Sequence, residues 1–216
     1  MPVTYPATYR DWSGEERTSI HNDGRLLSVT IRGVEFLGED FDALEPTSEA
    51  DVLSSFRLQQ NALCSCVIDS EIPVPVVTPH GTVWGVLAFR LELGDPAPNG
   101  GIDWERLTLR LRFGGRDLTS RGWSGWFEDE LADLQKQMPE GEFLKACVNC
   151  AFSDYRPLGH GLFGGLACFR DSKAGYKAVT TKRVLFQIWG TMTGFVQETH
   201  LCPEFERRTP GTGYRE

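Results

Sequence analysis

From Glu105 to Phe113 the chain alternates without a break. Leu107, Leu109, Leu111 and Phe113 occupy one side, and Arg106, Thr108, Arg110 and Arg112 the other. A helix repeats its faces about every 3.6 residues, so a strict period of two demands a strand with one buried and one wet face. The same pattern precedes it, where Leu87, Phe89, Leu91 and Leu93 alternate with Ala88, Arg90 and Glu92. Two such strands in sequence, joined by the loop Gly94 to Gly101, constrain the rest of the chain to an antiparallel neighbourhood.

The flanking stretches agree. Asn22-Asp23-Gly24 is a turn signal between Arg17-Thr18-Ser19-Ile20 and a run in which Leu27, Val29 and Ile31 share a side, so Glu16 to Arg32 reads as a hairpin. Gly114-Gly115 is a second hairpin signal, leading into Arg116 to Ser120. Gly38 to Asp51, acidic and interrupted by Pro46, reads as a surface loop with room for one helical turn. Val52 to Val77 reads as a strand, a turn near Gln60-Asn61 and a longer strand. In the latter, Ile72, Val74 and Val76 share a face, and Pro73 and Pro75 strip N–H groups from one side, which points to a sheet edge.

Helical spacing is strong once. Phe127, Leu131, Leu134 and Met138 recur at i, i+4, i+7 and i+11, Ser124 is placed to cap, Glu128, Asp129 and Glu130 suit the positive end, and Pro139 and Gly141 stop the run. Trp123 and Trp126 beside it are expected as core anchors. A weaker pattern from Thr181 to Trp189 fits a helix ending at Gly190 or a buried strand. The expected class is therefore α+β and mainly β. It would be an antiparallel β-sandwich or open barrel with one packed helix at about 126–138 and a C-terminal, cysteine-ligated zinc module.

That module is the second constraint. Cys147-Val148-Asn149-Cys150 puts two thiols three residues apart, a spacing that aims both at one ion across a tight turn, and Cys168 and Cys202 supply two more. Only the first pair has the diagnostic spacing. A structural zinc bound by Cys147, Cys150, Cys168 and Cys202 is the leading expectation. His160 or His200 are substitute ligands, and an iron–sulfur cluster is the alternative cofactor. Asn149 suits the turn through its tolerance of left-handed geometry, and Asp154 and Tyr155 are placed to orient the ligands by hydrogen bonds. His160, inside the glycine-rich run Gly159 to Gly165, reads as a loop histidine, a ligand or a base; the run lacks the Gly-Lys-Ser/Thr ending of a phosphate loop. Cys64 and Cys66, two apart, read as small core residues on one face of a strand. The domains expected are 1–144, β-rich and ending in the helix; 145–205, the metal module, lacking a core of its own; and 206–216, a flexible tail.

Charge separates these parts. Up to Glu142 there are 12 Lys/Arg against 24 Asp/Glu, and from Lys145 onward 10 against 6, within a net charge of −8. An excess of +4 in the second part is too small for a nucleic-acid footprint, so nucleic acid is not the expected partner. The start has no basic and apolar leader and no stretch has about 18 apolar residues, so no membrane partner and a cytoplasmic location are expected. In a reducing compartment six cysteines are ligands or buried thiols.

Several stretches together resemble an uncharacterised bacterial family, best represented in Streptomyces-type actinobacteria, that carries only a domain-of-unknown-function designation. They are Leu93 to Gly101, Ser124 to Leu131, Cys147 to Tyr155, Gly159 to Gly164, Cys168-Phe169-Arg170 and Gln197 to Phe205. The resemblance implies that the four cysteines belong to a family pattern and implies no activity. No nucleophile elbow, Walker loop, H-E-x-x-H or suggestive carboxylate pair is present in the sequence. The function expected is accordingly a non-catalytic protein-interaction module, of adaptor or immunity type, with an unidentified protein partner. The alternative is a metal- or thiol-dependent enzyme, either a zinc hydrolase or an iron–sulfur/thiol redox protein.

Overall fold

The computed structural model describes residues 2–48, 50–156, 159, 161–209, 211, 213 and 214. Its frame is one antiparallel sheet. β1 (Val3–Asp11), β2 (Gly14–Asn22), β3 (Leu27–Ile31), β4 (Val34–Gly38) and β5 (Glu45–Pro46) form a meander on one flank. A small separate hairpin, β6 (Leu58–Gln59) and β7 (Ala62–Leu63), turns at Gln60-Asn61. Then β8 (Cys66–Thr78), β9 (Gly81–Leu93), β10 (Glu105–Phe113) and β11 (Arg116–Thr119) form a second meander. The order β11-β10-β9-β8-β1-β2-β3-β4-β5 joins the two through β1 and β8, and β12 (Phe143–Leu144) adds to β8 as the tenth strand. Consecutive strands pair with consecutive strands, as short turns between alternating segments require.

The two alternating strands lie in register, Leu109 opposite Phe89 and Leu111 opposite Leu87, with their leucines and phenylalanines buried. Their arginines meet carboxylates on the wet face: Arg110 meets Asp117, Arg112 meets Glu71 and Arg90 meets Asp69. The Glu16 to Arg32 hairpin pairs Ile20 with Val29. Among the described residues the sheet is open, with β11 at one end of the order and β5 at the other. A phenylalanine cluster plugs the interior. Phe41, from the segment after β4, packs 4.6 Å from Phe89 of β9 and 4.9 Å from Phe163, and Phe127 lies 4.7 Å from Phe163. The stretch expected as a surface loop, Gly38 to Asp51, is not solvated in its first part: Asp40, Phe41 and Leu44 are buried, and Phe41 and Leu44 belong to the main core.

Helix α1 (Phe127–Gln137) covers the core with Phe127, Leu131 and Leu134. Ser124 does not cap it, since Trp126 stands at the cap position. Instead the buried Glu130 accepts N–H bonds from Gly122, Trp123 and Ser124 at 2.8 to 3.0 Å, pinning the loop that enters the helix. That pinning turns the indoles outward. Trp123 is 81% and Trp126 49% exposed, so neither anchors the core.

Strand β8 is central rather than an edge, and the prolines mark why it tolerates them. Two-residue hairpin closure fixes which residues exchange hydrogen bonds, and by that alternation Pro73 and Pro75 face away from β9, while Pro6 of β1 faces toward β8. β1 pairs with Val67 to Ser70 and β12 with Val76 and Val77; between them Glu71 to Val74 pairs only with β9. The missing N–H of Pro73 lies along this split in the sheet, and Pro75 sits at its end, where its carbonyl accepts from Lys145 N–H.

Beyond the sheet come β13 (Ser153–Tyr155), β14 (Leu166–Cys168), the helices α2 (Lys173–Lys177) and α3 (Lys182–Ile188), and β15 (Gly194–Val196), with β13-β14-β15 as a three-stranded sheet. The Thr181 to Trp189 pattern resolves as helix, capped by the Thr181 side chain accepting from Val184 N–H. This region does have a core of its own, built on Phe152, Phe169, Tyr176, Val179 and Leu185, with Phe169 stacked on Tyr176 at 4.9 Å. Leu162, Phe163 and Leu166 join the main core instead. The stretch expected as a tail starts docked: Ala151 N–H donates to Glu206 O, and Arg208 N–H to Asn149 O. Among the described residues no helix is long and apolar enough to cross a membrane.

Candidate metal centre and the adjoining cleft

Three segments carry the four cysteines to one place. β12 runs along β8 and delivers the chain to a 3-10 turn at Cys147–Asn149, closed by Cys150 N–H to Cys147 O at 3.0 Å. The Cys147 and Val148 N–H groups donate to His200 O and Glu198 O, which fixes the stretch that leads into Cys202. Cys168 ends β14 opposite Ser153, whose hydroxyl donates to the carbonyls of Cys147 (2.7 Å) and Cys150 (3.2 Å). Phe205 N–H turns back to Cys202 O. All four thiols are at most 6% exposed and none is in a disulfide.

They are electrostatic neighbours. Burial pushes the Cys147 thiol well up, and Cys150, Cys202 and Cys168 each push it further. Burial likewise raises Cys168, with Cys150 and Cys202 adding to it against the opposing pull of Arg170. Arg170 also hydrogen-bonds Cys202, and the Lys173 ammonium feels Cys150. Two cations thus border a buried cluster of sulfur, a donor set that suits a soft or borderline dication. Among the described residues, no group of three or more His, Cys, Asp or Glu stands as a site that could hold an ion, so the thiols are gathered without forming a coordination shell.

The remaining sequence candidates are placed as follows. His200 is half-buried, its imidazole held below the usual value by burial and by Arg170; His160 lies outside the described residues. Asn149 is not left-handed. Its side chain donates to Leu144 O and Gln135 Oε1, tying the turn to α1. Asp154 accepts from Tyr176 OH at 2.9 Å, and Tyr155 OH donates to Glu198 at 3.2 Å. Cys64 and Cys66 do not share a strand, because Ser65 takes a positive φ between them; burial raises both, Cys66 to about 12, as expected of core thiols.

Sequence reasoning missed the buried carboxylates. Glu198, fully buried, accepts from Gly164 N–H at 2.7 Å, and Asp40 accepts from Phe163 N–H at 3.0 Å, so two acids hold the glycine-rich run. The glycines allow the approach: a Cβ on Gly161 would stand 2.2 Å from Asp40 Oδ2, and Gly164 has a φ of +82°. Burial raises Asp40, and the nearby charge of Asp42 adds to it; burial also raises Glu105, to about 7. Acidic residues scattered at 40, 42, 105 and 198 carry no signal of this convergence in the linear chain.

Next to the thiols lies a cleft of about 580 Å³, at the split in the sheet. Tyr5 and Ile72 line it, Pro73 and Pro75 form one lip, and Gln197 to Leu201, the segment ending in Cys202, contributes a wall. At its base Asn22 and Gln197 exchange side-chain hydrogen bonds of 2.7 and 3.0 Å, and Asn22 also donates to Tyr5 OH at 3.0 Å.

No curated protein and no solved structure matches the chain. A family model covers residues 3–153, which takes in the ten-stranded sheet, α1 and, of the four clustered cysteines, Cys147 and Cys150, and stops short of Cys168 and Cys202. The chain belongs to the family of unknown function DUF6304.

Proposed function

We propose that the protein is a non-catalytic binding module in which Cys147, Cys150, Cys168 and Cys202 hold a structural zinc, and the zinc fixes one wall of the cleft. The observation that carries this reading is the convergence of four buried thiols from three segments beside Arg170 and Lys173, with the cleft wall Gln197 to Leu201 ending in one of them. Four thiolates on a dication leave a net charge of −2, which two neighbouring cations offset, and a four-sulfur shell leaves no open position for substrate. An interaction role follows from what the cleft offers, and a partner protein or ligand binds there without chemistry.

The test is alkylation of the native chain followed by intact-mass measurement. With zinc bound, the four thiols stay unmodified until a chelator is added, and the protein has no visible absorption. Rapid modification of all four without chelator contradicts the zinc, and visible absorption replaces it with an iron–sulfur cluster.

A further inference from the structure

We propose that the cleft at the split in the sheet binds an uncharged, largely aromatic or aliphatic small molecule that carries a hydrogen-bond donor. The proposal rests on the reading of Gln197 to Leu201 as a fixed wall.

Size and lining come first. A volume of about 580 Å³ falls among those that enclose small organic ligands. The surface offered is apolar: Tyr5 and Ile72, with Pro73, and at the mouth Val3, Trp84 and Leu201, which are exposed. Trp84 is 67% exposed, a large apolar area left for a ligand to cover.

Charge narrows the class. Among the described residues, Asp23 is the only acidic side chain that lines the cleft and no Lys or Arg lines it. The Asp23 carboxylate already accepts N–H bonds from Arg25 and Leu26 at 2.8 and 2.7 Å. The Asn22 amide is spent: it donates to Tyr5 OH and Gln197 Oε1 and accepts from Gln197 Nε2 and Gly24 N–H. An anion entering here would shed its hydration and meet a carboxylate instead of a cation, and a cation would meet only the exposed Asp23, where solvent screens the attraction, so charge is costly here.

The backbone adds the last element. Pro6 and Pro73 face each other's strand across the split with no N–H to give. A peptide strand added here would need donors as well as acceptors from the lip, so strand addition is disfavoured. The Pro6 carbonyl already accepts from the Ser70 hydroxyl and the Pro75 carbonyl from Lys145 N–H, which leaves, among the described residues, the Pro73 carbonyl at the lip to pair with a hydroxyl or N–H on the occupant.

The experiment uses N-phenyl-1-naphthylamine, an uncharged aromatic amine with one N–H, titrated into the full chain and followed by its fluorescence. Saturable binding at one site is expected. Trp84→Ala should weaken it about tenfold, Leu201→Glu should weaken it at least as much, and Trp123→Ala should leave it unchanged. The sulfonated relative 1-anilinonaphthalene-8-sulfonate should bind at least tenfold more weakly than the amine. Both cleft substitutions are at exposed side chains, so the fold is retained and circular dichroism checks it. Equal affinity in wild type and Trp84→Ala, or tighter binding of the sulfonate, overturns the proposal. If the amine binds as expected to protein that contains no zinc, the cleft stands and the zinc reading falls. If it fails to bind zinc-loaded protein, the reverse holds.

Discussion

The ten-stranded sheet and the region from Lys145 to Arg208 are held by different means. In the sheet, long strands alternate, and a repeated pattern buries Leu, Ile and Phe on one face over nine or thirteen residues at a time. In the cysteine region the strands have three residues and the helices five or seven. There, single polar groups do the joining: Glu198 to Gly164 and Tyr155, Tyr176 to Asp154, and Arg208 to the Ser153 carbonyl. Periodic burial is redundant, because many residues share it. Point anchors are not, and a region built on them needs each one, which is where a metal cross-link contributes most.

The comparison is broken most severely at the phenylalanine cluster, which belongs to both regions. Phe127→Ala should cost about 3–5 kcal/mol in a denaturant titration, because the ring is fully buried against Phe89 and Phe163. A loss below about 1 kcal/mol would show that the cluster is not the common core. Next in size, Cys202→Ser or a chelator should accelerate amide exchange from Cys147 to Cys202 while β8, β9 and β10 keep their protection. Equal acceleration in both regions would mean that they unfold as one unit. The region's own core around Phe169 and Tyr176 sets a floor, so partial rather than complete loss of protection is expected.

Smaller changes sharpen the contrast. Tyr176→Phe keeps the stacked ring but removes the hydroxyl that donates to Asp154, at about 1–3 kcal/mol. Glu105 tests the sign of a buried acid. Burial raises it from 4.5 to about 7, so the unfolded chain ionises first, and its contribution should erode stability as pH rises from about 4.5 through about 7. Glu105→Gln should therefore match wild type near pH 4 and exceed it near pH 8. A variant that is less stable than wild type at pH 8 would reverse that sign. Least of all, Trp123→Ala should change stability by no more than about 0.5 kcal/mol, since the indole is exposed.

The same difference decides what could be read in the chain. The strands β3, β9 and β10, the Gly114-Gly115 hairpin and helix α1 were legible because their burial repeats with the period of the element. The split in the sheet was half legible. Pro73 and Pro75 announced missing donors, but the sequence cannot say that β1 and β12 would flank the gap and make β8 central. The tryptophans misled: Trp123 and Trp126 look like core residues until Glu130, from within α1, binds the loop N–H groups and turns them out. The carboxylates that hold the glycine-rich run were invisible, since Asp40 and Glu198 meet it from segments about 120 residues before and 35 after, by loop closure rather than local pattern.

The central claim is that four sulfurs share one ion. Elemental analysis of the full chain, purified without added metal, tests it most directly, alongside Cys147→Ser, Cys150→Ser, Cys168→Ser and Cys202→Ser. One zinc per chain in the wild type, and little or none in each of the four variants, is the predicted result. A wild-type chain without metal, or zinc retained at full occupancy when any one of the four is replaced, would contradict it.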